Sequence, residues 1–519
     1  MLARPLNLRM TVLCTMSFLL MTGCTNYLRG TMVSDGIISD PDEYISSPYE
    51  LAGVEQKACF ESNERRNIAI FFDGTENHEG SDTNVFRMRN VLTAQPAVNG
   101  CPRNYVLYVK GVGTEGWWLR RKIGAGIGRG NEEDVRQAYA YIANLYRGPQ
   151  DRLYIVGFSR GASSARILTS MLHLAGLPTN LKDRQDNRLK FAKDLFETYS
   201  SDLDTNAKRK MLARMIGEDH QVMPTVTFLG LYDTVHALGI THSGEHKSQL
   251  KENFSESICN VAHVSQALSI DDNRSEIFTP ALIHKGLLAD CDDREFHGFV
   301  EQVWFAGAHS DVGGGYRDSD LSAVTLNWMM DRLLYAEKKA DCSQPSETGT
   351  VVASWEPVYQ DPLGLSHDAE SDMRFVHNYN RDWPNFLKPP ADDSGKTKEK
   401  GLDAGVRAPI LHETAKERIT SMPLRRRDFN WTADPQLAWN YPWIYGRTKR
   451  VRNYPGCFIK DTAINTKPIV ERGLETKFFW EYQLKWEKDV KKFQPGDICP
   501  TVWKAPALNC AGDQSDPEA

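Results

Sequence analysis

Residues 152–166 read Arg-Leu-Tyr-Ile-Val-Gly-Phe-Ser-Arg-Gly-Ala-Ser-Ser-Ala-Arg and carry the strongest structural signal of the chain. An apolar, strand-like run leads into a G-x-S-x-G pattern at residues 157–161, and an alanine-rich, helix-like run follows it. A serine on so tight a strand-to-helix turn needs glycine two positions before and after it, because strand and helix pass too close for side chains there. The stretch therefore predicts a strand, a sharp turn that exposes the Ser159 hydroxyl, and a helix.

Similar short apolar runs, each ending at Gly or Asp, recur along the chain. They are Ile68–Phe72, Tyr105–Val109, Leu153–Val156, Val226–Tyr232 and Val303–Ala306. Runs of this kind are typical of strands covered on both faces. Segments with helical periodicity lie between them, notably Glu132–Tyr146 and Arg160–Ala175. This alternation predicts an α/β fold in which a mostly parallel sheet carries helices on both faces.

The composition of the 519-residue chain is that of a folded, globular protein, with 41% hydrophobic and 25% charged residues. Disorder, collagen-like repeats and a coiled coil are therefore excluded as descriptions of the whole chain. The formal net charge of −6 provides no positive field that would attract nucleic acid. No Cys-x-x-Cys or histidine-rich spacing predicts a metal site, and we expect neither a metal nor an organic cofactor.

A nucleophilic serine needs a general base, and the base needs an acid that orients it. In this strand–turn–helix architecture the acid and the histidine follow the serine in that order, each in a loop after a later strand. Asp233, at the end of the run Val226–Tyr232, and His309, shortly after the run Val303–Ala306, meet this condition. The sequence thus predicts Ser159, Asp233 and His309 as a catalytic triad.

Two other aspartates, Asp271 and Asp311, compete with Asp233 for the role of the acid. Asp311 lies two residues after His309, in front of a run of glycines. We expect it to accept backbone amides and so to fix this glycine loop, since short carboxylate side chains often bond to nearby backbone groups.

The oxyanion of an acyl-transfer intermediate is stabilised by backbone amides. The first donor is expected to be the amide of Arg160, which begins the helix after the serine. The second is expected in the loop after the first strand, from Gly74 or Thr75, and Gly74 would let this backbone approach a substrate closely. Asp73 in the same loop is open to interpretation as a simple turn-forming residue.

The amino terminus resembles a bacterial lipoprotein signal. Residues 1–9 carry two arginines and no acid, the run Met10–Met21 is apolar, and Cys24 follows a small residue. The apolar run is shorter than the roughly 20 residues that cross a bilayer. We expect removal of the signal peptide, residues 1–23, and lipidation of Cys24, with ordinary secretion and a retained anchor as alternatives. Thr25 after the cysteine favours the outer membrane, facing the periplasm.

Eight of the ten cysteines lie beyond this leader. An even number suits a disulfide framework in an oxidising compartment. Two pairings are the first candidates: Cys59 with Cys101, each just upstream of a predicted strand, and Cys499 with Cys510. Buried free thiols are the alternative.

The remainder of the chain divides by texture. Residues 24–66 are polar and predict a tether, and residues 67–340 form the predicted catalytic domain. A charged, helical stretch at about 177–220 interrupts the strand series and predicts a helical lid insertion. Residues 341–519 lack strand rhythm and hold eight of the twelve tryptophans, which predicts a carboxyl-terminal accessory or capping region. Its aromatic and basic residues suit either a packed core or docking to a membrane surface.

Five linked motifs closely resemble the catalytic domain of the type VI secretion lipase effector family one. They lie at residues 70–77, 138–139, 157–166, 229–235 and 304–316. The resemblance covers roughly residues 67–335 and implies an α/β-hydrolase-type sheet. It also implies a Ser-Asp-His esterase acting on phospholipid acyl esters, carried onto Ser159, Asp233 and His309.

Three functions are compatible with these observations. The leading expectation is an esterase of phospholipids, held to the bacterial envelope through a lipidated Cys24. The second is an esterase acting on a soluble or cell-wall-linked ester. The third is an envelope scaffold whose hydrolase fold is catalytically silent. The sequence specifies no inhibitor and no secretion partner.

Overall fold

The computed structural model describes residues 59, 64–74, 77, 81–111, 129–179, 188–235, 257–272, 274, 280–283, 298–343, 350–367, 410–415, 417–418 and 501–508. Its strands are β1 (Asn67–Phe72), β2 (Asn104–Val109), β3 (Arg152–Phe158), β4 (Leu177–Pro178), β5 (Gln221–Val222), β6 (Val226–Tyr232), β7 (His263–Ser269), β8 (Phe299–Phe305), β9 (Ile410–Leu411) and β10 (Thr501–Val502). The helices that build the core and the site are α1 (Asn84–Thr93), α2 (Arg129–Leu145), α3 (Arg160–Ala175), α4 (Arg188–Tyr199), α5 (Thr205–Ile216), α6 (His309–Gly313) and α7 (Asp320–Ser343).

Eight of the described strands form one sheet in the order β10-β9-β8-β7-β6-β3-β1-β2, and every neighbouring pair is parallel. The predicted α/β fold is confirmed, and the five predicted strands correspond to β1, β2, β3, β6 and β8. Strands β4 and β5 pair antiparallel outside this sheet. Because parallel strands end at the same edge, the loops after β1, β3, β6, β7 and β8 are brought together.

Helices cover both faces of the sheet, as predicted. Ile68, Ile70 and Phe72 of β1 belong to the apolar cluster that includes α2 and α3. The alternate residues Ala69 and Phe71 belong to the cluster on the other face, which includes α1 and α7. Successive side chains of a strand point to opposite faces, so a strand buried on both sides is apolar throughout.

Strand β7 was not predicted, because four of its seven residues are polar although all seven are buried. These polar side chains are satisfied inside the sheet. Ser265 donates to Glu301 at 2.7 Å, and the Gln266 amide donates to the Gln302 side-chain oxygen at 3.1 Å. A buried polar group that keeps its hydrogen bonds avoids most of the desolvation cost, so such a strand is tolerated in the core.

The predicted insertion at about 177–220 is helical and forms α4 and α5. Both helices pack on the outer layer made by α2 and α3. Arg209 of α5 lies 3.2 Å from His173, which is near the carboxyl end of α3, whereas Ser159 precedes its amino end. A 16-residue helix is about 24 Å long. This contact of α5 is therefore remote from Ser159, and the role of a lid stays a prediction.

The described parts of residues 341–519 either extend the eight-stranded sheet or pack beside it. Strands β9 and β10 extend its edge beyond β8, and Val351 and Val352 are buried against α7. The Trp503 indole donates to the buried Glu301 carboxylate at 3.0 Å. Most of the tryptophans on which the accessory region was predicted, including Trp431, lie outside the described residues.

A disulfide joins Cys59 to Cys101, which confirms the first predicted pairing. It links the end of the predicted tether to the loop before β2. Cys259 and Cys342 are also disulfide-bonded. The other predicted pair, Cys499 with Cys510, and the predicted lipidation site Cys24 lie outside the described residues.

A buried carboxyl group on α7 couples the stability of the fold to pH. Glu337 is fully buried and accepts the Val351 amide, while the Tyr154 hydroxyl lies 3.5 Å from it. Burial raises the pKa of this carboxyl to about 7. The folded state therefore holds the proton more tightly than the unfolded chain, and the associated stability is lost as the pH rises through the folded pKa.

We predict that Glu337→Gln removes this pH dependence, because the glutamine side-chain oxygen can still accept the Val351 amide but the side chain does not titrate. The difference in melting temperature, variant minus wild type, should increase by several degrees between pH 5 and pH 8. Thermal denaturation followed by circular dichroism measures it. A difference that stays constant over this pH range would show that Glu337 does not titrate in the folded protein.

Candidate active site

The turn between β3 and α3 holds Ser159 in a strained conformation. Its φ of 57° and ψ of −124° are rare for a residue other than glycine. Two backbone hydrogen bonds to the end of β6 fix the turn: the Ser159 amide donates to the Tyr232 carbonyl, and the Val235 amide donates to the Ser159 carbonyl. Strain of this kind persists only where the surroundings impose it, and it occurs most often at functional sites.

The two glycines of the predicted elbow are required by close backbone contacts. A Cβ on Gly157 would lie 2.6 Å from the Ala162 Cα, and a Cβ on Gly161 would lie 2.4 Å from the carbonyl oxygens of Phe72 and Asp73. The helix therefore passes directly against the end of β1. The predicted strand–turn–helix arrangement is present, with the difference that Ser159 is only 5% exposed.

The structure brings the three predicted triad residues together. The His309 Nδ1 lies 2.6 Å from Asp233 Oδ2, and its Nε2 lies 2.7 Å from Ser159 Oγ. A carboxylate only accepts, so Nδ1 carries the proton, and in a neutral imidazole Nε2 accepts from the serine hydroxyl. Ser159 stands at the N-cap of α3 without a capping bond from its side chain, so the hydroxyl is directed to the imidazole instead.

The acid of this arrangement is completely buried and held by several donors. Asp233 follows β6 with a φ of 40°, and the Ser269 amide and hydroxyl each donate to its carboxylate at 2.8 Å. A buried carboxylate costs free energy unless it accepts hydrogen bonds. The imidazole of His309, which pairs with this carboxylate, also packs against the Phe158 ring, with 4.7 Å between the ring centroids.

The two competing aspartates do not contact the imidazole of His309 in the described hydrogen bonds. Asp271 accepts the Gly307 amide at 2.6 Å. Asp311 accepts the amides of Ala308 and His367, both at 2.9 Å, as expected for a residue that fixes the glycine loop. Asp233 is therefore the carboxylate placed to orient the base.

Of the three predicted oxyanion donors, the structure describes Arg160 and Gly74. Arg160 is the first residue of α3, where backbone amides point out of the positive end of the helix. The Gly74 amide donates to its neighbour Asp73 at 2.7 Å, so Asp73 is more than a turn-former and engages the predicted second donor. Thr75, the other candidate, lies outside the described residues. The oxyanion donors stay predictions.

Asp73 is itself held by two further donors. The hydroxyls of Thr83 and Tyr108 both donate to its second carboxylate oxygen at 2.6 Å. This aspartate therefore connects the loop after β1 to the start of α1 and to β2.

A second buried carboxylate beside His309 was missed by sequence reasoning. The Asp272 carboxylate accepts the His309 amide at 3.1 Å and forms an ion pair with Arg274 at 2.6 Å. Burial raises the pKa of this carboxyl, but the Arg274 guanidinium and the imidazole of His309 outweigh it and hold the pKa well below its usual range. The only signal was an aspartate pair followed by an arginine, in a segment not recognised as the end of a strand.

Neither a metal site nor a membrane-spanning helix occurs in the described part of the chain. Within it, no group of three or more His, Cys, Asp or Glu side chains is arranged to hold a metal ion. No helix among the same residues is both long and apolar enough to cross a bilayer. The chemistry that the described groups offer is a serine activated by a histidine, which is the basis of acyl transfer.

We predict that Gly161→Ala destabilises the protein, although alanine is the better helix former by about 1 kcal/mol. The added Cβ would meet the backbone carbonyls of Phe72 and Asp73, which cannot move without shifting β1. The expected loss in the free energy of unfolding is about 3 kcal/mol. Gly148→Ala is the control, because its Cβ would meet only the end of the Gln150 side chain. Chemical denaturation compares them, and equal stability of the two variants would contradict the packing argument.

Comparison with known proteins places the chain in a family. Residues 66–332 match the family described as the phospholipase effector Tle1-like catalytic domain of the type VI secretion system. An uncharacterised protein of Saccharomyces cerevisiae is 25% identical over 245 residues, which cover 42% of this chain and 33% of the yeast protein.

Two solved structures are also similar to parts of the chain. A crystal structure of an uncharacterised protein from Pseudomonas aeruginosa shares 18% identity with a TM-score of 0.29, covering 56% of this chain and 49% of that one. The structure of the Tle1 effector bound to the VgrG spike shares 19% identity with a TM-score of 0.27, covering 49% of this chain and 52% of that one. The chain thus spans about a third to a half of these proteins. The family match covers more than half of the chain, which therefore belongs to the Tle1-like phospholipase effector family.

Proposed function

We propose that this protein is a serine esterase that hydrolyses the carboxylic ester bonds of phospholipids. The observation that carries the proposal is the continuous hydrogen-bonded relay from Ser159 through His309 to Asp233, on a strained elbow. Membership of a phospholipase effector family supports the lipid substrate. The roles of the three residues follow from their chemistry.

In the acylation step, the Ser159 oxygen attacks the carbonyl carbon of an acyl ester while His309 Nε2 takes the hydroxyl proton. The imidazolium that forms is stabilised by the Asp233 carboxylate, and the oxyanion by the amide of Arg160 with a second donor from the loop after β1. The intermediate collapses, the bond to the alcohol oxygen breaks, and His309 returns the proton to that oxygen. The lysophospholipid leaves, and the acyl group remains on the serine.

In the deacylation step, water replaces the alcohol. The water oxygen attacks the acyl carbonyl while His309 takes a proton from the water. His309 then protonates the departing Ser159 oxygen. A free fatty acid is released and the serine is regenerated. The whole cycle uses only groups of the protein and water.

We predict that Ser159→Ala lowers the release of fatty acid and lysophospholipid from phospholipid vesicles by at least about a thousandfold. Mass spectrometry of the released lipids measures it and identifies which acyl ester is cut. Ser164→Ala, a change of a second buried serine on α3, is the matched control and should retain activity.

A short-chain soluble ester, assayed in parallel, separates the two esterase functions. Cleavage of the soluble ester without any release from vesicles would contradict the phospholipid substrate. Equal release by wild type and Ser159→Ala would contradict the serine mechanism.

We further propose that the protein is a lipoprotein of the bacterial envelope, held at the outer membrane by lipidated Cys24 and facing the periplasm. The layout of residues 1–24 supports this placement. The Cys59–Cys101 disulfide is consistent with an oxidising compartment, since such bonds are rare in the cytosol. Several acyl chains on one cysteine give stable anchoring, because each buried methylene contributes about 0.8 kcal/mol.

We predict that Cys24→Ser moves the protein from the membrane fraction to the soluble periplasmic fraction, because it removes the acylated sulfur. Fractionation of expressing cells with immunodetection measures the distribution. Cys14→Ser changes a cysteine within the apolar run of the same signal and should leave the protein in the membrane. Membrane retention of the Cys24 variant would contradict lipidation at this residue.

A further inference from the structure

We propose that the carboxyl end of β7, through Ser269, Asp272 and Arg274, is a positioning element that sets the geometry between Asp233 and His309. The inference rests on the proposed function and assigns residues to it that the triad does not include. None of the three is expected to touch the substrate. Each acts through a residue that does the chemistry or orients it.

The order of the strands creates the need for such an element. Asp233 follows β6 and His309 follows shortly after β8, and β7 lies between these two strands. Neighbouring strands are about 4.8 Å apart, so the backbones of β6 and β8 are separated by roughly twice that distance. The acid and the base therefore meet across the end of β7, and whatever β7 presents there determines how they meet.

Ser269, the last residue of β7, holds the acid. Its amide donates to Asp233 Oδ1 and its hydroxyl donates to Asp233 Oδ2, both at 2.8 Å. The same Oδ2 accepts the His309 Nδ1 proton at 2.6 Å. The serine hydroxyl thus fixes the plane of the carboxylate and shares the oxygen that orients the imidazole.

The next residues hold the base from its backbone side. Asp271 accepts the Gly307 amide at 2.6 Å, and its own amide donates to the Gly307 carbonyl at 2.9 Å. Asp272 accepts the His309 amide at 3.1 Å. The loop that carries His309 is therefore bonded at two points, Gly307 and His309, to the residues that directly follow β7.

Arg274 compensates the charge of the buried Asp272 carboxylate. Its guanidinium lies 3.1 Å from one carboxylate oxygen through Nε and 2.6 Å from the other through a terminal nitrogen. Paired contacts of this kind fix orientation as well as charge. Without Arg274, an unpaired charge would be buried next to the base, at a large cost in free energy.

The charged and titratable groups near His309 lie at the ends of β6 and β7, on α6 and in the segment that contains His367. Asp233 follows β6, whereas Asp271, Asp272 and Arg274 follow β7. Asp311 lies two residues after His309 on α6, and the His367 Nδ1 is 2.6 Å from its carboxylate. Without one of its hydrogen-bond donors, the Asp233 carboxylate attracts the protonated imidazole of His309 more strongly, and the acid limb of the pH profile should move to higher pH. Without the Asp272 charge, the protonated imidazole loses the stabilisation by that carboxylate, and the acid limb should move to lower pH.

The test compares Ser269→Ala with Ser265→Ala in the full-length protein. Both serines are fully buried on β7 and donate to a buried carboxylate, but Ser265 donates to Glu301, away from the site. The readouts are kcat, KM and the pH dependence of kcat/KM on a short-chain p-nitrophenyl ester. For Ser269→Ala we expect kcat about tenfold lower with KM little changed, and an acid limb moved to higher pH.

For Asp272→Asn we expect lower kcat and an acid limb moved to lower pH, and for Ser265→Ala neither change. A Ser269→Ala variant with the kcat and pH profile of the Ser265→Ala variant would overturn the inference, as would acid limbs that move in the same direction. Should Asp272→Asn fail to fold, the serine pair decides alone. A wild-type protein that cleaves neither this ester nor phospholipid vesicles would overturn the proposed function, and the inference with it.

Discussion

The site depends on the parallel hydrogen bonding of β3, β6, β7 and β8 in that order. Because parallel neighbours point the same way, the residues that follow these strands meet at one edge of the sheet. Ser159 and His309 are 150 positions apart in the chain and yet lie within hydrogen-bond distance. No local motif builds a long-range contact of this kind: the strand order brings the loops together, and the hydrogen bonds at the ends of the strands fix their geometry.

The same edge concentrates buried negative charge. Asp233, Asp271 and Asp272 are each at most 2% exposed, and they use different means to remain in the interior. Asp233 is stabilised by the serine and histidine donors, Asp271 by a backbone amide, and Asp272 by a guanidinium. Each means also fixes a loop. The hydrogen bonds that compensate for burying these carboxylates are thus the same ones that hold Asp233 and the His309 loop in place.

Sequence reasoning was successful where apolar periodicity and local turn chemistry carry the information. The elbow around Ser159 and the five apolar strands were predicted because each is encoded within a few consecutive residues. The Cys59–Cys101 disulfide was predicted because each cysteine lies just upstream of a predicted strand, and the structure shows that these strands, β1 and β2, are neighbours.

The features that were not predicted depend on side-chain hydrogen bonds or tertiary contacts, neither of which leaves a hydrophobic periodicity in the sequence. Strand β7 is buried through hydrogen bonds between polar side chains and not through apolar content, so Ser265 and Gln266 conceal it from a hydrophobicity pattern. Its functional end, from Ser269 to Arg274, was missed with it. The short strands β9 and β10 were missed because two residues carry no periodicity, and their pairing with β8 is a tertiary contact. The engagement of the Gly74 amide by Asp73 likewise depends on a side-chain conformation that no spacing encodes.

The proposed chemistry depends on a Ser159 nucleophile that is activated by His309. Labelling with a fluorophosphonate probe, followed by mass-spectrometric mapping of the modified peptide, tests it without any assumption about the natural substrate. We expect one adduct, on Ser159, which forms rapidly in the wild-type protein and is lost in His309→Ala. An adduct on a different serine, or labelling of Ser159 that is unchanged without the histidine, would contradict it.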